Sequence, residues 1–308
     1  MIVAAGLGTR LRPLTDLRPK PALPVRGIPV IAYGLALLAH HGVREVVVNL
    51  HHRPDDLREA ARRWCPPNLE LHFSHEPQLL DTGGGIRRVA SFLEGSDPCL
   101  LLGGDMLLDA DLGALVRRHR AEERAVTLLL RDDPRAKTFG TIGVDREGRV
   151  RRIANRLDLG GTERSGVYVW ANVVSARALQ DLPDREVFSH FDHWLAPRLA
   201  AGARDVVAEI AAPGDCHWEP VGTPAEYLAA NLRPAALSYW DADARARAEG
   251  TRLEGDVVIG AGAELGPGAA LRRAVVWDGE KVPAGFRGED GVFAGGAFHD
   301  CTGKDRRA

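Results

Sequence analysis

The first two-thirds of the chain alternates short apolar runs with segments of helical pattern, and this restricts the fold more than anything else in the 308 residues. Ile2-Val3-Ala4-Ala5 is stopped by Gly6, and further strand-like runs follow at Glu45 to Leu50, Leu69 to Ser74, Cys99 to Leu102 and Val126 to Leu130. Between them the pattern predicts helices over 29–41, 54–64, 86–93 and 112–122. The first of these has Pro29 in its opening turn and Gly42 as its stop, and the second has Asp55 and Asp56 in its first turn. Strands separated by helices build βαβ units with right-handed crossovers. The expectation is an α/β fold with a mostly parallel sheet and helices on both faces, binding ligands at the carboxyl ends of its strands.

The texture changes near Gly140. A hairpin is predicted from Thr141 to Ile153 around Asp145-Arg146-Glu147-Gly148, followed by a strand over Gly166 to Trp170 and a helix from Phe188 to Ala201. Thr223-Pro224-Ala225-Glu226 is a capping box that opens a helix through Leu232. Residues 233–252, rich in Ala, Arg and Asp, read as a connector. Beyond them Ile259, Leu265 and Leu271 recur every six residues among Gly and small side chains, the period of a parallel β-helix. The division expected is a domain over 1–232, the connector, a hexapeptide module over 253–295 and a tail over 296–308, frayed from Thr302.

Composition excludes several classes. A formal charge of −2 offers no basic field for nucleic acid, and no apolar run approaches the ~18 residues of a membrane span. Cys65, Cys99, Cys216 and Cys301 are scattered without a CxxC pair, so reduced thiols and a cytoplasmic location are expected. Only four of the 40 basic residues are lysines, namely Lys20, Lys137, Lys281 and Lys304, so each lysine invites a question.

The densest chemistry lies at the start, in Ala4-Ala5-Gly6-Leu7-Gly8-Thr9-Arg10-Leu11-Arg12-Pro13-Leu14-Thr15 and Pro19-Lys20-Pro21. A Gly-rich loop directly after a strand turns backbone N–H groups toward a phosphate. It lacks the GK[ST] of a P-loop and the third glycine of a dinucleotide fingerprint, and by itself it also reads as a tight turn. Arg10 on the same loop, and Lys20 held between prolines that fix the backbone, favour the phosphate reading.

These residues resemble the opening motif of the sugar-1-phosphate nucleotidyltransferases, GxGTRLxPLT…PKP, and the resemblance extends over about residues 1–232. It implies a Rossmann-like catalytic domain. With the hexapeptide segment it points to the mannose-1-phosphate guanylyltransferase-like branch that carries a left-handed β-helix, through which copies could join as a homo-oligomer. The family transfers a nucleotidyl group from a nucleoside triphosphate to a sugar-1-phosphate and releases pyrophosphate.

The resemblance assigns roles residue by residue. Arg10 and Lys20 would be catalytic, and Ala5, Gly6, Gly8 and Thr9 would hold the nucleotide. Glu76 to Gly85 looks like the nucleotide-base loop, with Glu76, Thr82 and Gly83 as contacts and the glycines letting the backbone approach the base. An ionised Glu76 would suit the paired N–H donors of guanine. Gly103-Gly104-Asp105 resembles the strand ending in GD, with Asp105 as a Mg²⁺ ligand and Gly104, Glu163 and Gly166 near the sugar. A second metal ligand belongs in the family's WxDVGTP, where this chain reads Trp218-Glu219-Pro220-Val221-Gly222-Thr223-Pro224. Pro220 stands at the Asp position. Glu219, one residue early, would face the other way on an extended strand, unless local rearrangement brings it in as a ligand. His51, His52, His190 and His193 are read as structural.

The expected reaction uses GTP and mannose-1-phosphate with Mg²⁺. The alternatives are a uridylyltransferase on another hexose-1-phosphate and, given Pro220, a non-catalytic nucleotide-sugar-binding regulator. An acyltransferase, a chemistry found on hexapeptide modules, lacks a histidine in the repeats.

Overall fold

The computed structural model of the protein describes residues 1–233 and 237–303. Ile2–Val3 lies between Glu45–Leu50 and Cys99–Gly103, parallel to both, and Glu70–His75 continues the parallel half of the sheet. Along Glu45–Leu50 the residues Val46, Val48 and Leu50 enter one apolar cluster and Val47 enters another, so both faces of the strand are covered. The helices Val30–His40 and Pro54–Arg63 form where the pattern predicts them.

From Arg164–Val174 onward the pairing changes. That strand runs antiparallel to Cys99–Gly103, Val126–Arg131 and Ile142–Val144, while Val206–Ala211 pairs parallel with Val126–Arg131. The architecture is mixed α/β, parallel through the centre of the sheet and antiparallel on one flank. The predicted hairpin is present, because the Asp145 carboxylate accepts from the N–H groups of Glu147 and Arg149, and Gly148 takes a φ of 82°.

Four local expectations change. The glycines expected in a loop before a helix lie inside one, since Asp81–Arg88 is already helical and Ala90–Glu94 follows as a separate turn. The helix predicted over 188–201 divides into a wide turn, Phe191–Leu195, and the helix Ala196–Ala200. The connector contains a helix, Ala242–Ala248, capped by the Asp241 carboxylate, which accepts from the N–H of Ala244. Within the expected tail, Ala297–Asp300 is a strand antiparallel to Arg287–Ala294, and residues 304–308 lie outside the described residues.

The C-terminal segment forms a sheet in which Val257 pairs with Ala274 and Ala274 with Gly291, a parallel repeat of 17 residues. Ile259 is buried and Leu271 half-buried against the same cluster. Leu265 is 36% exposed, and among the described residues its two-residue strand pairs only with Lys281–Val282. Alternation splits the sheet's side chains between two cores. Val257, Ile259, Val276 and Phe293 face one another, while Val258, Val275, Trp277 and Val292 join Leu11, Leu14, Leu23 and Tyr227 from earlier in the chain. Among the described residues no helix is long and apolar enough to cross a membrane, and the four cysteines are unpaired.

A buried carboxylate fixes the rim of the sheet. Asp133, after Val126–Arg131, binds Arg131 and also accepts from the backbone N–H, Nε and Nη2 of Arg135 at 2.8–2.9 Å. Arg131 Nε donates to the Cys216 carbonyl, and Arg135 donates to the Trp218 carbonyl and to Glu219. The network therefore carries the strand Cys216–Pro220. Hydrogen bonding by Arg135 holds the Asp133 carboxyl at about 2. A depressed carboxyl contributes stability above its unfolded value that disappears as pH falls through the folded one. We predict that Asp133→Asn lowers stability by about 2 kcal/mol at pH 7. The gap to wild type should close between about pH 4 and pH 2. Urea midpoints across that range test this, and a gap independent of pH would contradict it.

Candidate active site

The site is built at the carboxyl ends of Ile2–Val3, Glu45–Leu50 and Cys99–Gly103, where the strand order reverses and the connecting loops diverge. The loop leaving Ile2–Val3 turns through Gly8 at a φ of 63°. A Cβ there would stand 2.8 Å from Thr15 Cγ2 and 3.2 Å from Lys20 Cβ, so glycine is needed for the loop to fold back on the lysine. Thr15 Oγ1 donates to the Gly8 carbonyl at 3.0 Å, and Leu11 and Leu14 anchor the loop in the core. Among the described residues the N–H groups of Gly6, Leu7 and Gly8 have no hydrogen-bond acceptor. Exposed Arg10 is likewise without an ion-pair partner among them.

Lys20 and Asp105, 85 positions apart in sequence, meet at 2.6 Å between Nζ and Oδ2. Buried Pro19 and Pro21 flank the lysine, and a short turn over Lys20–Ala22 fixes its direction. Asp105 follows Cys99–Gly103, and its carbonyl accepts from the Val221 N–H at 3.0 Å. Two hollows open on either side of the pair. The smaller, about 220 Å³, is lined by Ala5, Gly6, Asn49, Glu76 and Thr82, and the larger, about 370 Å³, by Arg10, Thr141, Tyr168, Trp218 and Pro220. Lys20, Asp105 and Trp170 border both. A cation, an adjacent carboxylate and free backbone donors at the junction of two hollows can hold two anionic reactants against each other. Asp105 offers a hard oxygen suited to Mg²⁺, and among the described residues no group of three His, Cys, Asp or Glu could form a closed metal cage.

The remaining predicted residues are placed as follows. Thr9 is exposed on the turn that carries Arg10. Glu76 is fully buried in the floor of the smaller hollow. Its Oε1 accepts from Asn49 Nδ2 at 2.8 Å and its Oε2 from the Leu80 N–H at 3.1 Å, while Asn49 Oδ1 accepts from the Ala4 N–H at 2.7 Å. Its carboxylate thus braces the loop against the first strand, with an acceptor role already filled on both oxygens. Gly83 and Gly84 are required by close packing, since a Cβ would meet Phe188 at 2.3 Å or the Glu186 carbonyl at 2.2 Å. This contact by itself requires glycine at Gly83, whatever the backbone does toward a base.

The sugar-side expectations fare differently. A Cβ on Gly104 would touch Ile2 and Ala4, and one on Gly166 would touch Leu130 and the Arg131 carbonyl, each at 3.0–3.1 Å. Both glycines are explained by contacts within the sheet. Glu163 is exposed and lines neither hollow. Glu219 pairs with Leu107 across Cys216–Pro220 and turns to Arg135 at 3.3 Å, whereas Trp218 and Pro220 face the larger hollow. The structure therefore does not bring Glu219 to Asp105, and strand alternation is the reason.

Trp170 is the residue the sequence did not single out. Its φ is 55°, a strained value for a bulky residue, at a slip in the pairing of Arg164–Val174 with Val126–Arg131. Gly103 makes the position possible, because a Cβ there would lie 2.9 Å from Trp170 Cβ. Tyr168 and His190 pack against the indole with centroids at 5.2 and 5.1 Å. The glycine pair before Asp105 was the available signal, but a bulge has no simple sequence pattern.

A family model for nucleotidyl transferases matches residues 1–235. The mannose-1-phosphate guanylyltransferase of Mycobacterium tuberculosis is 33% identical over 310 residues, covering 92% of this chain and 81% of that protein. The N-acetylmuramate alpha-1-phosphate uridylyltransferase of Caulobacter vibrioides is also 33% identical, over 76% of this chain and 96% of that one. A crystal structure of HddC from Yersinia pseudotuberculosis complexed with GMP-PN superposes with a TM-score of 0.61 at 22% identity, over 75% of this chain and 96% of that chain, and shares the fold. The chain belongs to the nucleotidyl transferase family, and the relatives it matches are sugar-1-phosphate nucleotidyltransferases.

Proposed function

We propose that the protein joins the nucleotidyl group of GTP to mannose-1-phosphate, giving the nucleotide sugar and pyrophosphate. The observation that carries this reading is the Lys20–Asp105 pair at the junction of two hollows, with Arg10 unpaired beside it. The smaller hollow takes the triphosphate against the free N–H groups of Gly6 to Gly8, and the larger takes the sugar phosphate between Tyr168, Trp170 and Trp218. The choice of GTP and mannose rests on likeness to the Mycobacterium tuberculosis enzyme, and the uridylyltransferase relative keeps UTP as the rival.

An oxygen of the sugar phosphate attacks the α-phosphorus, and the bond to the bridging oxygen breaks, so pyrophosphate departs with the electron pair. The nucleophile is already an anion near pH 7, since a phosphate monoester has a second pKa of about 6, and no general base is required. The difficulty is repulsion between two polyanions, which positioned cations relieve. Lys20 neutralises the α-phosphate and Arg10 the charge at the loop. Mg²⁺ held by Asp105 would supply further neutralisation of the triphosphate. We also infer that the C-terminal module is a short parallel β-helix, on the strength of its 17-residue parallel repeat, close to three six-residue steps.

Pyrophosphate release and product identification across four nucleoside triphosphates and a panel of sugar-1-phosphates test the reading. GDP-mannose should dominate, and Arg10→Ala and Lys20→Ala should each lower kcat/KM at least about tenfold without unfolding. Absence of turnover with every pair would favour a nucleotide-sugar-binding regulator.

Pro220 gives a separate prediction. It faces the larger hollow next to Val221, whose N–H bonds Asp105. Pro220→Asp should lower the Mg²⁺ concentration needed for half-maximal turnover, with little change at saturating metal. Glu219→Gln, removing a carboxylate that faces Arg135, should leave that concentration unchanged. A rise on Glu219→Gln would assign Glu219 to the metal.

A further inference from the structure

The loop that carries Lys20 rests on the C-terminal module. Immediately before it, Arg18 forms a two-pronged ion pair with Asp278, at 2.8 Å from Nη1 to Oδ1 and 3.0 Å from Nη2 to Oδ2. The same guanidinium lies 4.8 Å from the ring centroid of Trp277. Beyond the lysine, the Pro24 carbonyl accepts from the buried Tyr227 hydroxyl at 2.6 Å, and that hydroxyl accepts from Trp277 Nε1 at 2.9 Å. One dipeptide of the module, Trp277-Asp278, thus fixes both ends of the segment from Arg18 to Pro24. A cavity of about 650 Å³ opens between the helix Pro54–Arg63 and the module, with Arg18, Pro24, Trp277 and Asp278 among its walls. Among the charges on its walls Arg18 pairs with Asp278, Arg53 with Asp56 and Arg63 with Glu249, while Glu59 is an exposed carboxylate.

We propose that Asp278, Trp277 and Tyr227 are positioning residues for Lys20, so that the C-terminal module, which contributes no side chain to either hollow, sets the direction of the lysine. A planar guanidinium gripped by a carboxylate and stacked on an indole has little rotational freedom, and a segment tethered at both ends transmits that restriction to the residue between. Lys20 lies two residues from Arg18 and four from Pro24, with Pro19 and Pro21 stiffening the path. The catalytic consequence rests on the role of Lys20 proposed above, whereas the positioning itself can be read without turnover.

The test uses the full chain and its few lysines. Acetylation by N-hydroxysuccinimidyl acetate, followed by peptide mass spectrometry, gives the labelling rate of Lys20, with exposed Lys137 as an internal standard. Asp278→Asn changes a half-exposed side chain and Tyr227→Phe removes one hydroxyl from a retained ring, so either variant keeps the test available if the other folds poorly. Each should raise the Lys20 rate at least threefold relative to Lys137. In turnover, Asp278→Asn should lower kcat about fivefold in the wild-type background and have no further effect in Lys20→Met, because an effect passing through the lysine vanishes with it. Unchanged Lys20 labelling in both variants, or the same kcat loss in the Lys20→Met background, overturns the proposal. Faster labelling in a protein that turns over no sugar phosphate would uphold the positioning and reject the catalytic reading.

Discussion

The site is organised around one short ion pair between residues that the chain brings from a short turn and from the end of a strand. Lys20 and Asp105 stand 2.6 Å apart, with 11% of the lysine side chain and 41% of the aspartate exposed. The ammonium is nearly buried and the carboxylate faces solvent, and the value of the pair is geometric. It fixes an ammonium and a carboxylate at the junction of two hollows, where an entering phosphate would compete with Asp105 for the lysine. Much of the neighbouring structure serves this placement. Gly8 lets the first loop reach the lysine, buried prolines flank it, and the core shared with the C-terminal sheet lies beneath the loop.

That shared core changes the meaning of the C-terminal segment. Val258, Val275, Trp277 and Val292 lie in one cluster with Leu11, Leu14 and Leu23, so the module completes the hydrophobic underside of the first loop. Alternation makes this possible, since neighbouring residues on the same strands face the module's own core. Loop and module form one packed unit, which is why Arg18 and Pro24 can be held from a distance of more than 200 residues.

The legible part of the site is the part encoded locally. Arg10, Lys20 and Asp105 lie in short motifs whose glycines and prolines restrict the backbone, and the structure brings all three to one cleft. The hairpin at Asp145 to Gly148 was equally legible, because its turn bonds are local. What the sequence left unread shares a physical cause. A glycine signals only a missing Cβ, and at Gly83, Gly84, Gly104 and Gly166 the space is taken by protein. The strand Ala297–Asp300 is held by an edge that its own sequence does not reveal. Trp170 owes its backbone to a bulge set by two partner strands.

The central claim is that Asp105 holds Lys20 in reserve for phosphate, and it predicts effects of opposite sign. Calorimetric titration with GTP in the presence of a chelator measures them directly. Lys20→Met should weaken binding about tenfold by removing a cation, whereas Asp105→Asn should tighten it by removing a repelling carboxylate and freeing the ammonium. Shifts of the same sign in both variants, or none in either, would contradict the account.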